Sequence, residues 1–279
     1  SGGADDLAWQ RAVQNAAASG ERFSTDPLNF GWMVEADPAS GTVQKLHSLG
    51  RFSHEGAIVL PDQKTAYLTD DFRGGIFAKF VADQPGNLTA GTLYAARLVP
   101  DDAAASPLSG HVEWIEIPDD ELARAREYAL EHGATGFGRP EDLEYNSVDG
   151  MVYWAETEDK SKENSRGRVW RLDPQTDEMA PFVEGSATGF DNPDNIAIDA
   201  RNGDLLVQED NYEENMLPVP GTENNGMFRV TKAGDVSRVL TVPYAAEVTG
   251  AWYAPDGEIL FVSVQHPDAP NKHMVIQIK

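Results

Sequence analysis

The chain has 279 residues, enough for one large core or two small domains. With 22 Lys and Arg against 46 Asp and Glu its formal charge is −24, which argues against binding nucleic acid or an anionic membrane by charge and suits bound cations or plain solubility. There is no cysteine, so disulfides and thiolate metal sites are excluded, and no window of about 18 apolar residues that could span a membrane.

The opening Ser-Gly-Gly-Ala reads as a processed or trimmed terminus. Residues 4–20 then read as a helix, with Asp5 or Asp6 at its start and Gly20 at its end, so that 1–30 form a helical appendage. Gly31–Asp37 and Val43–Leu49 predict two strands. The stretch HEGAIVLPDQKTAYLTDD, from His54 to Asp71, predicts a β-hairpin with Pro61-Asp62 at its tip. Gly75–Val81, Gly91–Leu98 and His111–Ile117 predict further strands. Residues 118–133 predict a helix inserted between sheets, with Leu122, Ala125, Ala129 and Leu130 on one face. PEDLEYNSVDGMVYWAET from Pro140, PDNIAIDARNGDLLVQED from Pro193 and VTGAWYAPDGEILFVSVQH from Val248 predict three more hairpins, turning at Asp149-Gly150, Asn202-Gly203 and Asp256-Gly257.

These four hairpins are altered copies of one unit. Glu55 and Asp70, Glu141 and Glu156, and Asp194 and Glu209 each stand fifteen positions apart. The two arms of a hairpin start and end opposite the turn, so the opening and closing carboxylates of each copy are expected at one end. Period-two patterning dominates, and units of about fifty residues suit four-stranded blades. The predicted architecture is all-β: a single β-propeller over 1–279, with about four blades in this chain, short helical insertions, and its acidic residues at one mouth.

Several longer stretches strengthen this reading. GRFSHEGA (50–57), YLTDD (67–71), GTLYAARL (91–98), RPEDLE (139–144), NPDNIAID (192–199), QED (208–210) and TGAWYAPDGEILFVSVQHP (249–267) together resemble the PhoX-type alkaline phosphatases. The resemblance runs from about Gly31 to near the C-terminus. It implies a six-bladed propeller, periplasmic or extracellular, that hydrolyses phosphomonoesters at a site holding iron and calcium. It also implies that Glu55 and Glu141 bind metal, that Arg139 contacts substrate phosphate, and that Asp70 or Asp71, and Asp194 with Asn195, are calcium ligands. Trp252 matches a tryptophan whose ring nitrogen reaches a phosphate oxygen. The family's iron site includes further N-terminal acidic ligands and, in PhoX itself, a cysteine; this chain has about thirty residues before Gly31 and no cysteine. Two blades' worth of family sequence has no counterpart here. The expectation is therefore a fragment or truncated relative, or a ring covered by a partner or a second copy of the chain.

The residues themselves support a site for hard cations, which take six to eight oxygen ligands. Glu55, Asp70, Asp71, Glu141, Asp142, Glu156, Asp194, Asn195, Glu209 and Asp210 are expected to crowd one mouth, where cations or protons must offset their repulsion. The plain alternative is that acidic residues at strand ends cap turns and face water. Arg139 suits bidentate phosphate contact or a salt bridge to Glu141 or Asp142. Strand alternation turns His54 away from the side of Glu55, which gives it a structural or supporting role. His266 ends the fourth hairpin where the others carry carboxylates. Trp154, Trp170, Tyr67, Phe77 and Phe80 read as core. The leading expectation is a metal-dependent phosphomonoesterase. The alternatives are a calcium-binding propeller without catalysis, acting as a binding or assembly module, and a calcium-dependent lactonase or esterase.

Overall fold

The computed structural model describes residues 27–101, 109–157, 166–186, 189–210, 224–243, 246–265 and 273–278. The helix expected at 4–20 and His266 lie outside the described residues. A strand pair comes first, β1 (Trp32–Ala36) and β2 (Val43–Arg51). The first hairpin unit is β3 (His54–Val59) and β4 (Thr65–Asp70), then a short strand β5 (Arg73–Gly75), β6 (Phe77–Gln84), β7 (Asn87–Pro100) and β8 (Gly110–Ile117). A 3-10 turn (Asp119–Arg124) and helix α1 (Ala125–Glu131) lead to β9 (Phe137–Gly138). The second unit is β10 (Pro140–Asn146), β11 (Met151–Glu156), β12 (Arg168–Leu172) and β13 (Glu178–Glu184). The third is β14 (Pro193–Asp199), β15 (Asp204–Glu209), β16 (Gly226–Val230) and β17 (Val236–Thr241), and the last is β18 (Glu247–Tyr253), β19 (Leu260–Gln265) and β20 (Met274–Ile278).

Every pairing is antiparallel. The first and second units join at their outer edges, β8 to β13, through two residue pairs only, making one nine-stranded sheet; the third and fourth units are separate sheets. The inner strands β3, β10, β14 and β18 pack side by side in that order, and the units stack face to face between them. Four apolar layers follow: β2 and α1 against the first unit, the first against the second, the second against the third, the third against the fourth. Trp154, fully buried, stacks between Phe77 and Trp170, which joins the first two units through aromatic faces. This is a propeller-like arrangement of radiating sheets, as the hairpin repeats predict.

The insertion departs from the expected single helix. Residues 119–124 wind as a tighter 3-10 turn, Arg124 breaks the regular dihedrals, and only Ala125–Glu131 are α-helical. Leu122, Ala125 and Ala129 pack on the first core, but Leu130 turns out to solvent at 38% exposure. At the two ends of the stack, Val34 and Val43 on β1–β2 and Trp252, Met274 and Val275 on β18–β20 are exposed apolar side chains.

The closing carboxylates explain why the repeat is so regular. His54 pairs with Asp70, Pro140 with Glu156, and Pro193 with Glu209. Each closing carboxylate is buried and accepts the backbone N–H of a residue just before its own opening strand: Ser53 to Asp70 (3.0 Å), Gly138 to Glu156 (2.6 Å), Asp191 to Glu209 (2.8 Å). The remaining oxygens take Ile76 N–H and Arg126 at Asp70, the Trp170 indole N–H (2.8 Å) at Glu156, and Gly226 N–H (2.8 Å) at Glu209. These are clamps that satisfy buried amides in loops and at strand ends which the sheet ladders leave over.

Removing such a clamp leaves buried donors unpaired. Glu156→Ala is expected to cost roughly 2–4 kcal/mol in urea unfolding, with no matching loss for Glu55→Ala in chelator, since the Glu55 carboxylate receives none of these backbone bonds.

Candidate functional site

Each of the first three inner strands begins with a bulge. Between His54 and Ala57, Pro140 and Leu143, and Pro193 and Ile196, two residues stand opposite one on the partner strand. The bulged residues are Glu55-Gly56, Glu141-Asp142 and Asp194-Asn195. Bulges re-aim side chains, and here they divide labour between neighbours. The first residue of each pair joins a carboxylate group at the mouth. The second fastens one unit to the next. Asp142 accepts the N–H of Ile196 (3.0 Å), and Asn195 accepts the N–H of Gly250 (2.8 Å) and the Thr249 hydroxyl. At Gly56 a Cβ would collide with Leu143 of the second unit, so close packing replaces the bond.

Two groups of three carboxylates result. In one, Glu55, Asp71 and Glu141 bring carboxylate oxygens within 4.8 Å of one another; in the other, Asp194, Asp210 and Glu247 do the same. Asp71 and Asp210 directly follow the clamps Asp70 and Glu209, and strand alternation gives consecutive residues opposite directions. Each donates its N–H back across the hairpin, Asp71 to Ser53 O (2.8 Å) and Asp210 to Asn192 O (3.1 Å). The groups sense each other: Asp194 is one of the charges that raise Glu141, and Glu55 is one that raises Asp194 and Glu247.

The structure thus places the candidate residues unevenly. Glu55, Asp71, Glu141, Asp194 and Asp210 come together as expected for ligands. Asp70 and Glu209 do not join them, because buried amides take their oxygens and, at Asp70, Arg126 does as well. Glu156 and Asp142 are likewise occupied by backbone and indole donors. Asn195 is a fastener between units. His54 points its Nε2 at Gly50 O (3.1 Å) beside the Phe52 ring, and burial pulls its pKa down to about 4, which suits a neutral supporting group. Trp252 belongs to neither carboxylate group; its ring is 58% exposed and stacks on Phe261 across the last sheet. Glu247 was not among the expected residues. The fourth hairpin is two residues longer between Glu247 and its partner Gln265 than the first is between His54 and Asp70, so a fixed spacing passes over it.

Burial and mutual repulsion push these acids toward their protonated forms. Glu141 is raised by burial first and by Asp194 next, against the pull of Arg139. Asp194 is raised by burial, then by Asp210 and Glu247. Glu247 reaches about 7, through burial and then Asp210. Glu55 is raised by its partial burial and by Asp71 and Asp142.

Arg139 is a cation at this mouth. It holds Asp71 with two bonds, Nε to Oδ1 at 2.8 Å and Nη2 to Oδ2 at 3.0 Å, and Nη2 also lies 2.6 Å from Glu141 Oε1. The Glu141 contact is close but lacks the alignment of a directed hydrogen bond, and Oε1 is buried. Arg139 has φ +54, a left-handed conformation that costs a non-glycine residue energy. The short ladder β5–β9 explains how it is held: Arg73 pairs with Gly138, so the residues leading out of β4 and into β10 are bound to each other. That ladder sets Asp71 opposite Arg139.

Chemically, each group offers all-oxygen, anionic, partly buried ligands. This donor set fits hard cations such as calcium, and also ferric iron, and does not suit soft metals. Compensation for the repulsion is available from bound cations or from protons.

The sequence model of the family described as Alkaline phosphatase PhoX matches residues 8–268. The structure of Pseudomonas fluorescens PhoX in complex with vanadate, a transition state analogue, superposes with a TM-score of 0.74 at 27% identity, over 86% of this chain and 53% of that one. The chain therefore spans about half the length of that relative. A nidogen/laminin complex (TM-score 0.49, 12% identity, 88% and 74% covered) and the periplasmic gluconolactonase PpgL of Pseudomonas aeruginosa (0.42, 12%, 89% and 77%) are more distant. A search of curated protein sequences found no match. The family match spans nearly the whole chain, hairpin units and mouth together, and this protein belongs to the PhoX alkaline phosphatase family.

Proposed function

We propose that this protein is a metal-dependent phosphomonoesterase acting at the mouth formed by Glu55, Asp71, Arg139, Glu141, Asp194, Asp210 and Glu247. The observation that carries the proposal is Arg139: a guanidinium fork set on a strained backbone, bound to Asp71 and Glu141 of one carboxylate group and a neighbouring charge to Asp194 and Glu247 of the other. Such a fork matches the oxygens of a phosphate monoester. The vanadate complex of the Pseudomonas fluorescens relative supports a phosphate-like ligand here.

Glu55, Asp71 and Glu141 would hold one cation, and Asp194, Asp210 and Glu247 another, with calcium and iron the candidates by donor chemistry. When bound, such ions supply charge to the phosphoryl oxygens and activate an oxygen nucleophile. The chain's own part is positional. Arg139 steadies the phosphate and exchanges some of its contact with Asp71 and Glu141 for it. Glu141, buried and facing both groups, fixes where the positive charge can sit. Asp142 and Asn195 keep the bulges in register, so the ligands stay in place as a substrate enters. Trp252, which stacks on Phe261 in the last sheet, is given no role in this proposal. The family resemblance supports a periplasmic or extracellular setting; among the described residues no helix is long and apolar enough to cross a membrane.

Three outcomes test the proposal. Purified protein supplied with calcium and ferric ion should release phosphate from p-nitrophenyl phosphate, and Arg139→Ala should lower kcat/KM by about 100-fold or more. Calcium binding without any turnover would select a non-catalytic, cation-stabilised propeller instead. The second outcome concerns stability. Because Glu141, Asp194 and Glu247 have raised pKa values in the folded state, the folded form binds more protons than the unfolded chain. Stability from these groups is present below the usual 4.5 of a glutamate and is lost as pH rises through about 7 for Glu247. In chelator the melting temperature should therefore fall across this range. Third, calcium at a hundredfold excess over its Kd should raise that temperature by roughly 5–10 °C near pH 8, as a thermal melt would show.

A further inference from the structure

Phe72 lies in a turn beside this mouth, where Gly75 packs closely against Pro140, and the proposed chemistry does not use it. It directly follows Asp71 and is 51% exposed. It belongs to none of the four apolar clusters among the described residues. The turn that contains it does not need an aromatic ring. Its N–H goes to Asp70 O (2.7 Å), its carbonyl accepts the N–H of Gly75 (2.6 Å), and the unusual backbone is carried by Gly74 and Gly75.

Its ring is nonetheless held. The Arg126 guanidinium lies over one face, 4.0 Å from the ring centroid. Arg126 comes from α1 and is itself fixed: Nε bonds Asp70 Oδ2 (2.5 Å), and Nη2 bonds Asp70 Oδ1 and the Ser53 hydroxyl (3.1 Å). Asp70 is fully buried. The order is a buried carboxylate, a pinned guanidinium, then an exposed aromatic ring, one residue along from the carboxylate that grips Arg139. An aromatic ring stacked on a cation costs little entropy to present, since its partner cannot move away.

We propose that Phe72 is a specificity-determining residue, an aromatic wall that stacks against the organic part of a phosphate monoester and favours aryl or other flat apolar leaving groups over small polar ones. This rests on the phosphomonoesterase reading and gives the substrate class within it. The helical insertion acquires a role on this account, because α1 supplies the guanidinium that orients the wall.

The test compares Phe72→Ala and Phe72→Trp with wild type in the presence of calcium and ferric ion. Binding of phenylphosphonate and methylphosphonate, which are not hydrolysed, is measured by calorimetry, and kcat/KM is measured for phenyl phosphate and glycerol 3-phosphate. Phe72 is exposed, so both variants should fold. Phe72→Ala should weaken phenylphosphonate about fivefold to tenfold, the size of one aromatic contact, and leave methylphosphonate unchanged. The loss on phenyl phosphate should appear in KM, with glycerol 3-phosphate unaffected, and Phe72→Trp should restore it. Equal effects on both ligands, or none, with wild type turning over both substrates, would overturn the aromatic wall alone. Wild type that binds neither phosphonate and cleaves neither ester would overturn the phosphatase reading and this inference with it.

Discussion

The mouth depends on a backbone irregularity repeated at equivalent places. Each of the first three inner strands begins with one residue more than its partner can match, so two neighbours leave the ladder together. A regular strand would turn one of them in and one out by simple alternation. The bulge lets the first reach the mouth while the second engages the next unit, as Asp142 does with Ile196 and Asn195 with Gly250. The placement of the mouth carboxylates and the stacking of sheets are thereby one constraint. A change that relaxed a bulge would loosen both.

The cost of this arrangement is electrostatic. Six carboxylates share two tight groups, and the cationic Arg139 makes direct contact with Asp71 and Glu141 of one of them. Burial removes the water that would otherwise screen them, which is why Glu141 and Asp194 are driven toward protonation despite Arg139 nearby. The fold tolerates this because its stabilising carboxylates lie elsewhere. Asp70, Glu156 and Glu209 are buried with their hydrogen-bond needs met, and the apolar layers between units provide the bulk of the core. Clamps stabilise the hairpins, while the mouth is left in a state that bound cations would improve.

Much of this was legible in the sequence. Alternating apolar residues with Asp-Gly and Asn-Gly tips located the hairpins, since local turn chemistry and period decide such elements. The opening acids Glu55, Glu141 and Asp194 were legible as a set from the repeat. The closing acids misled, because the fifteen-residue spacing is imposed by the clamps Asp70, Glu156 and Glu209, and the mouth residues Asp71 and Asp210 sit one position later. Nothing local distinguishes two adjacent carboxylates; the distinction is made by loop amides seventeen or eighteen residues away. Glu247 was hidden by a longer hairpin, and the break at Arg124 by a helical pattern that continues through it. The face of Trp252 depends on which sheets stack beside β18, which pattern alone does not give.

The most direct measurement is a crystal structure of the protein grown with calcium and ferric ion, with anomalous scattering used to locate the ions. The account predicts an ion in each group, within about 2.0–2.6 Å of oxygens from Glu55, Asp71 and Glu141 in one and Asp194, Asp210 and Glu247 in the other. Asp70 and Glu209 should keep their backbone partners. Ions bound elsewhere, with both groups closed by Arg139, water and shared protons, would contradict it.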